Sequence, residues 1–241
     1  MNCKKIFWAV GLSAAAVLIV LAAGIQYSRP WHRGIGMKPL WKLGGNEKII
    51  ALTFDDGPSN TRTPALLGLL KQYNVKATFF MMGRNIQKYP DIARRVIAEG
   101  HLAGNHSWDH PRLVFKTPGY VRQQIVRTDS LIAEAGQKET RYFRPPFSSK
   151  FIILPLMLGT MKKQLVTGTY DPPLEYACPY DGRAVAQQVI ENAEPGAIIY
   201  LHDGKRSSAD EFILSVEIII RELTEKGYRF VRVDYAGLSD N

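Results

Sequence analysis

The run Ile49-Ile50-Ala51-Leu52-Thr53-Phe54 ends on two adjacent carboxylates, Asp55 and Asp56, and Gly57-Pro58 stops it. An apolar run of this length with such a stop reads as a buried strand, placed at 48–54. Two neighbouring aspartates at a strand end repel each other and pack poorly. They make sense where one ligates a cation and the other stays free as a base. A buried strand with chemistry at its C-terminal end belongs in a parallel α/β sheet, which gathers its functional residues there.

The rest of the chain agrees. Strand-like segments at 77–82, 101–105, 141–144, 164–170, 197–202 and 228–233 alternate with helix-like segments at 63–73, 90–99, 118–136, 182–194 and 208–226. Leu66, Leu67, Leu69 and Leu70 form one apolar helix side, and Val121, Ile125, Leu131 and Ile132 another. The apolar segment 151–163 contains Pro155 and reads as a broken or kinked helix. Repeated β-α units imply a parallel sheet or barrel.

Fifty residues after the paired aspartates comes Asn105-His106-Ser107-Trp108-Asp109-His110. Histidines four positions apart share one face of a helical turn, a spacing that suits two ligands of one metal. Asp56, His106 and His110 would hold a divalent ion and leave open positions, which is the pattern of a catalytic site. Zinc is the default by availability, with cobalt or nickel accepted by the same donors. Trp108 is expected to pack or to wall a ligand, and His101 to be structural. Cys178 is expected to be a buried or half-buried small side chain.

The chain resembles the polysaccharide deacetylases with a NodB-homology domain, carbohydrate esterase family 4, over roughly residues 47 to 235. The resemblance rests on Thr53-Phe54-Asp55-Asp56-Gly57-Pro58-Ser59, His106–His110, Arg144-Pro145-Pro146-Phe147 and Leu201-His202-Asp203-Gly204. It implies a distorted (β/α) barrel with fewer than eight regular units. It also implies a metal-dependent hydrolase that removes N-acetyl groups from an N-acetylglucosamine polymer, either peptidoglycan or a chitin-like oligosaccharide. Hydrolysis of an O-acetyl ester or a small amide on the same scaffold is the alternative, and a non-catalytic glycan binder a further one.

The resemblance assigns roles residue by residue. Asp55 is the general base, paired with Arg144. His202 is the acid for the departing amine and needs a carboxylate beside it. The backbone N–H of Phe147 would face the oxyanion. The chain departs from the family pattern at Tyr170-Asp171-Pro172-Pro173-Leu174-Glu175-Tyr176, where an Asp-Trp pair is usual. Glu175 is the conservative partner for His202, with Asp171 as the alternative. Tyr176 and Tyr200 are expected at the acetyl pocket, and Ser148 stands where glycine is common.

Length and charge set the frame. The 241 residues, 46% hydrophobic, support one sizeable domain with an appendage. The appendage is Ile6–Ile25, an uncharged run preceded by Lys4 and Lys5 and long enough to cross a bilayer. It reads as a membrane anchor or, with Ala22-Ala23-Gly24 as cleavage site, a removed signal. Residues 1–26 are thus the membrane segment, 27–46 a linker and 47–237 the catalytic domain. Basic residues after the run, counted alone, favour a cytoplasmic C-terminal side. The basic start and the family's substrates favour an exported domain, tethered or secreted. Of the net charge of +9, residues 1–45 carry +6, so the excess marks the membrane-proximal end and gives no nucleic-acid signal. Cys3 and Cys178 are too far apart in role to pair, so no disulfide is expected. Oligomeric state stays open.

Overall fold

The computed structural model describes residues 16, 18–27, 30, 32–204 and 208–235. Its centre is β1, Ile49–Asp55, buried along all seven residues. The strands β2 (Thr78–Met81), β3 (Leu102–Asn105), β4 (Tyr142–Phe143), β5 (Gln164–Leu165) and β6 (Ala197–His202) follow in the order β5-β4-β3-β2-β1-β6. Every pairing is parallel. β6 runs along one edge of β1. β2 and the short β7 (Arg229–Phe230) share the other edge, β2 beside Thr53–Asp55 and β7 beside Ile49–Ile50.

Parallel strands require crossovers, and seven helices supply them: α1 (Arg62–Gln72), α2 (Gly83–Lys88), α3 (Pro90–Ala98), α4 (Pro118–Glu134), α5 (Ile153–Thr160), α6 (Gly182–Glu191) and α7 (Ala209–Glu225). Three begin on side-chain caps. Thr117 accepts from the Tyr120 N–H, Asp181 from Arg183 and Ala184, and Ser208 from Glu211. Strand alternation sorts the two sheet faces. Ile50, Leu52 and Phe54 face the helices with Phe79, Ile199, Leu201, Leu66, Val216 and Phe212. Ile49 and Ala51 face inward and close one end of the curl with Leu43, Leu102, Ile198 and Val233.

The expected barrel is an α/β fold whose parallel sheet curls without closing by a regular ladder. Across the seam between β5 and β6 runs one bridge, Tyr170 to Ile199, with Thr169 N–H donating to the Ile198 carbonyl and Tyr200 N–H to the Tyr170 carbonyl. Several segments differ from expectation. The 164–170 strand keeps its ladder only at Gln164–Leu165. α2 was not anticipated, being short and without an apolar stripe. Pro155 does not break α5, because it lies in the first turn, where its missing N–H is no loss. Leu40 bridges Val166 and Leu43 donates to the Gly196 carbonyl, so part of the 27–46 segment belongs to the sheet's edge and core. Cys178 is exposed, not buried.

Among the described residues no helix is long and apolar enough to cross a membrane. The run Ile6–Ile25 lies largely outside the described residues, with helix recorded over 18–27.

Candidate active site

Inward alternation continues up β1 as Thr53 and Asp55, which are opposite Tyr200 and His202 on β6 in register. On the other side Asp55 is opposite Phe80 of β2. The next residue, Asp56, has φ 69°, which turns the chain off the strand.

The segment that carries His106 and His110 is a loop, not the expected helical turn. Ser107 and His110 take positive φ, 67° and 62°, and this curl brings the two rings to a centroid distance of 4.9 Å. Asn105 sets it, accepting from the Ser107 N–H and donating to the Ile125 carbonyl and Asp129. Asp56 Oδ1 faces His106 Nε2 at 3.4 Å and His110 Nε2 at 3.3 Å. Their ligand atoms lie within 4.8 Å of one another. His106 Nδ1 donates to the Arg144 carbonyl at 2.8 Å, which leaves Nε2 as a lone pair toward the cluster. Asp56 Oδ1 is buried with no hydrogen-bond partner, a costly state unless a cation takes it. One carboxylate and two imidazoles are the donors a borderline divalent ion accepts. Burial pushes the Asp56 carboxyl up, but the facing His106 and the other imidazoles outweigh it and hold it well below the usual range. Burial lowers His110.

Asp55 stands apart from that trio, its Oδ2 3.9 Å from His106 Nε2. Its Oδ1 accepts from Arg144 Nη1 at 2.8 Å. Arg144 is fully buried, donates also to Thr53 Oγ1 and the Thr167 carbonyl, and lies between the rings of Phe80 and Tyr200, at 4.2 and 3.9 Å. Glycines make room for both rings. A methyl on Gly104 would reach 2.4 Å from Phe80, and one on Gly168 2.3 Å from Tyr200. A buried cation held this way fixes the carboxylate rotamer of Asp55.

His202 Nδ1 lies 2.7 Å from Glu175 Oε2, and its backbone N–H donates to Glu175 Oε1 at 2.7 Å. Glu175, buried in the turn Pro173–Tyr176, is therefore the partner of His202. Asp171 instead accepts the Tyr176 hydroxyl at 2.9 and 3.1 Å. That hydroxyl stands 3.4 Å from His202 Nε2.

Comparison with known proteins agrees with this geometry. Residues 42–153 match the family model described as polysaccharide deacetylase. A Bacillus cereus peptidoglycan-N-acetylglucosamine deacetylase is 35% identical over 197 residues, 80% of this chain and 90% of that protein. The chain belongs to the polysaccharide deacetylase family. The Listeria monocytogenes peptidoglycan-N-acetylglucosamine deacetylase is 34% identical over 78% of this chain, which spans only 38% of that longer protein. The crystal structure of the Bc1960 peptidoglycan N-acetylglucosamine deacetylase superimposes with a TM-score of 0.76 at 30% identity, covering 80% of this chain and 89% of that one.

The remaining expected residues divide. Phe147 is at the rim, left-handed at φ 59°, its ring 4.5 Å from that of His110 and beneath the Arg112 guanidinium. Tyr176 is half exposed beside His202. Tyr200, expected at the pocket, is instead buried behind Arg144, with its hydroxyl 3.3 Å from Ser148 Oγ. Burial pushes it up to about 12. Trp108 packs under the Arg127 guanidinium at 3.6 Å.

Two groups were given no role in the sequence reading. Arg62, fully buried, donates to the His202 carbonyl and stacks on Phe212, holding the end of β6. Asp203 is fully buried under Gly57, accepts from Thr63 and is pushed up to about 7, chiefly by burial. Local pattern does not mark Arg62, and although Asp203 stands in the Leu201–Gly204 motif, only the fold shows that it is buried.

Proposed function

We propose that this protein hydrolyses the N-acetyl groups of an N-acetylglucosamine-containing polysaccharide, with peptidoglycan the favoured substrate and a chitin-like oligosaccharide the second. One observation carries the reading. Register between β1 and β6 sets a free carboxylate, Asp55, between the Asp56–His106–His110 donors and the His202–Glu175 pair.

Asp56, His106 and His110 would hold the divalent ion, for which zinc is the first choice. When bound, it polarises the amide carbonyl and makes water more acidic. The chain's residues do the rest. Asp55, oriented by Arg144, accepts the proton of the attacking water. The Phe147 N–H faces the developing oxyanion. His202, held by Glu175 through Nδ1, presents Nε2 to the leaving nitrogen and returns a proton to it. Amine expulsion needs that proton, and with Asp55 as base and His202 as acid the two transfers fall to two groups.

The Ile6–Ile25 run is assigned to the membrane, as anchor or cleaved signal, with the catalytic domain outside the cytoplasm. Support comes from the run itself and from relatives named for peptidoglycan, a polymer outside the membrane. The test is acetate release by the zinc-loaded full chain from N-acetylglucosamine oligomers and from peptidoglycan, beside Asp55→Asn. Release that disappears in the variant while zinc stays bound supports the assignment. A zinc-loaded chain inert on both glycans overturns it in favour of an ester or small-amide substrate.

A further inference from the structure

α5 is a helix that should not be at a surface. From Phe151 to Met161 it and its flanks carry no charge and almost no polar group. One side packs inward through Leu154 and Leu158 against Leu113, Val121, Ile125 and Phe143. A surface helix then turns polar residues outward. Here the outward positions are Ile152 and Leu156, the latter 55% exposed. Beside them Phe115 is 66% exposed, its ring edge-on to Phe151 at 5.7 Å. The helical turns at 18–27 arrive on the same face. Leu21 lines an apolar pocket with Leu113, Phe115, Phe151 and Ile152, and Gly24 lies against the Phe151 ring. The described C-terminal part of the Ile6–Ile25 run therefore meets this patch.

Charge identifies the occupant. The stretches that meet at the face, 18–27, 113–116 and 151–162, contain no aspartate or glutamate. Exposed Arg112, Lys116 and Lys162 lie within or next to those stretches. Aromatic and aliphatic side chains among cations, with no anion, match the interfacial layer of an anionic bilayer. A neutral apolar partner or a second copy of this positive face would leave the cations uncompensated.

We propose that the face formed by Phe115, Ile152 and Leu156 rests in the headgroup layer of an anionic membrane. The inference builds on the assignment of Ile6–Ile25 to the membrane. It fixes how the domain lies: Phe147, over His110, is four residues from Phe151, so the site's rim sits beside the lipid surface. A tethered domain would then act on glycan close to the bilayer and not on strands a linker's length away.

The test uses the full chain with Cys3→Ser and Cys178→Ser, reconstituted in phosphatidylcholine–phosphatidylglycerol vesicles with brominated acyl chains. A fluorophore is placed singly through Leu156→Cys, Phe115→Cys, Val20→Cys, or the exposed Gln187→Cys on α6. The expected result is quenching of about twofold or more by lipid bromine at 20, 115 and 156, none at 187, and the reverse with aqueous iodide. Quenching by bromine at 20 with iodide access at 115 and 156 overturns the docked face and leaves the membrane segment standing. Shielding of 115 and 156 from both quenchers overturns it in favour of a protein partner. No bromine quenching at 20 removes the membrane assignment and the inference with it.

Discussion

Two clusters of the same residue types lie at one end of the sheet and are opposites in their hydrogen bonding. In Asp56–His106–His110 the donors converge on a common point and leave Asp56 Oδ1 without a hydrogen bond. In Asp171–Glu175–His202 the acids are engaged: Glu175 by the His202 ring and backbone, Asp171 by the Tyr176 hydroxyl. Proximity alone would make either set a metal site. Satisfaction separates them. An unsatisfied, inward-aimed carboxylate wants a cation, whereas a carboxylate saturated by N–H and O–H donors is built to manage a proton.

The largest effect should come from breaking the first cluster. Asp56→Ala or His106→Ala should abolish stoichiometric zinc binding in calorimetry. Each should also lower acetate release roughly 10³-fold, the several kcal/mol that a catalytic ion contributes. If either variant binds zinc as tightly as the parent, the trio is not the metal site.

His202→Ala breaks the second cluster and should differ in kind. Zinc stoichiometry should stay at the parent value while kcat falls roughly 10²–10⁴-fold, the range for a lost general acid. Loss of zinc in this variant would merge the two clusters and end the distinction drawn between them.

How much of this was legible beforehand follows the same division. Asp55, Asp56, His106 and His110 are close in sequence to their strand ends, so alternation and spacing exposed them. The means were misread at one point. The histidine pair converges because Ser107 and His110 adopt positive φ under the hold of Asn105, and no periodicity reports a loop dihedral. The choice between Asp171 and Glu175 could not be made from residue order, since it depends on the turn Pro173–Tyr176 folding Glu175 inward. Tyr200 was misplaced for a related reason. Register puts it on the inward face, but Arg144 fills the space in front of it. Buried Arg62 has no local signature at all, and the motif that contains Asp203 does not report its burial.

His101 offers a control outside both clusters. It is buried, accepts from the Ala77 N–H through Nδ1 and lies edge-on to Phe79. Burial lowers it from 6.5 to about 4. The unfolded chain takes up a proton below pH 6.5 that the folded chain refuses until about pH 4. Its contribution is thus complete above the unfolded pKa, is lost as pH falls between those values, and levels off below. The drop should be at most about 3 kcal/mol. His101→Gln keeps a neutral acceptor, so the parent-minus-variant difference in urea stability should decline across that window. A flat difference would mean that the ring is already charged in the folded protein.

Tyr176→Phe should have the smallest effect and sharpens the second cluster most finely. Its hydroxyl proton is committed to Asp171, at 2.9 and 3.1 Å, and only a lone pair is left for His202 Nε2 at 3.4 Å. An acceptor at that distance positions the imidazole N–H but passes no proton to substrate. Removing it should cost about 1 kcal/mol, within tenfold in kcat/KM, with zinc binding unchanged. Asp171, raised chiefly by burial, loses the Tyr176 donor, so its titration should move upward and shift the pH profile at the acid side. A loss as large as that of His202→Ala, with an unshifted profile, would instead make the Tyr176 hydroxyl a proton donor in its own right. The leaving nitrogen would then be served by Tyr176 and Asp171, with Glu175–His202 reduced to their support.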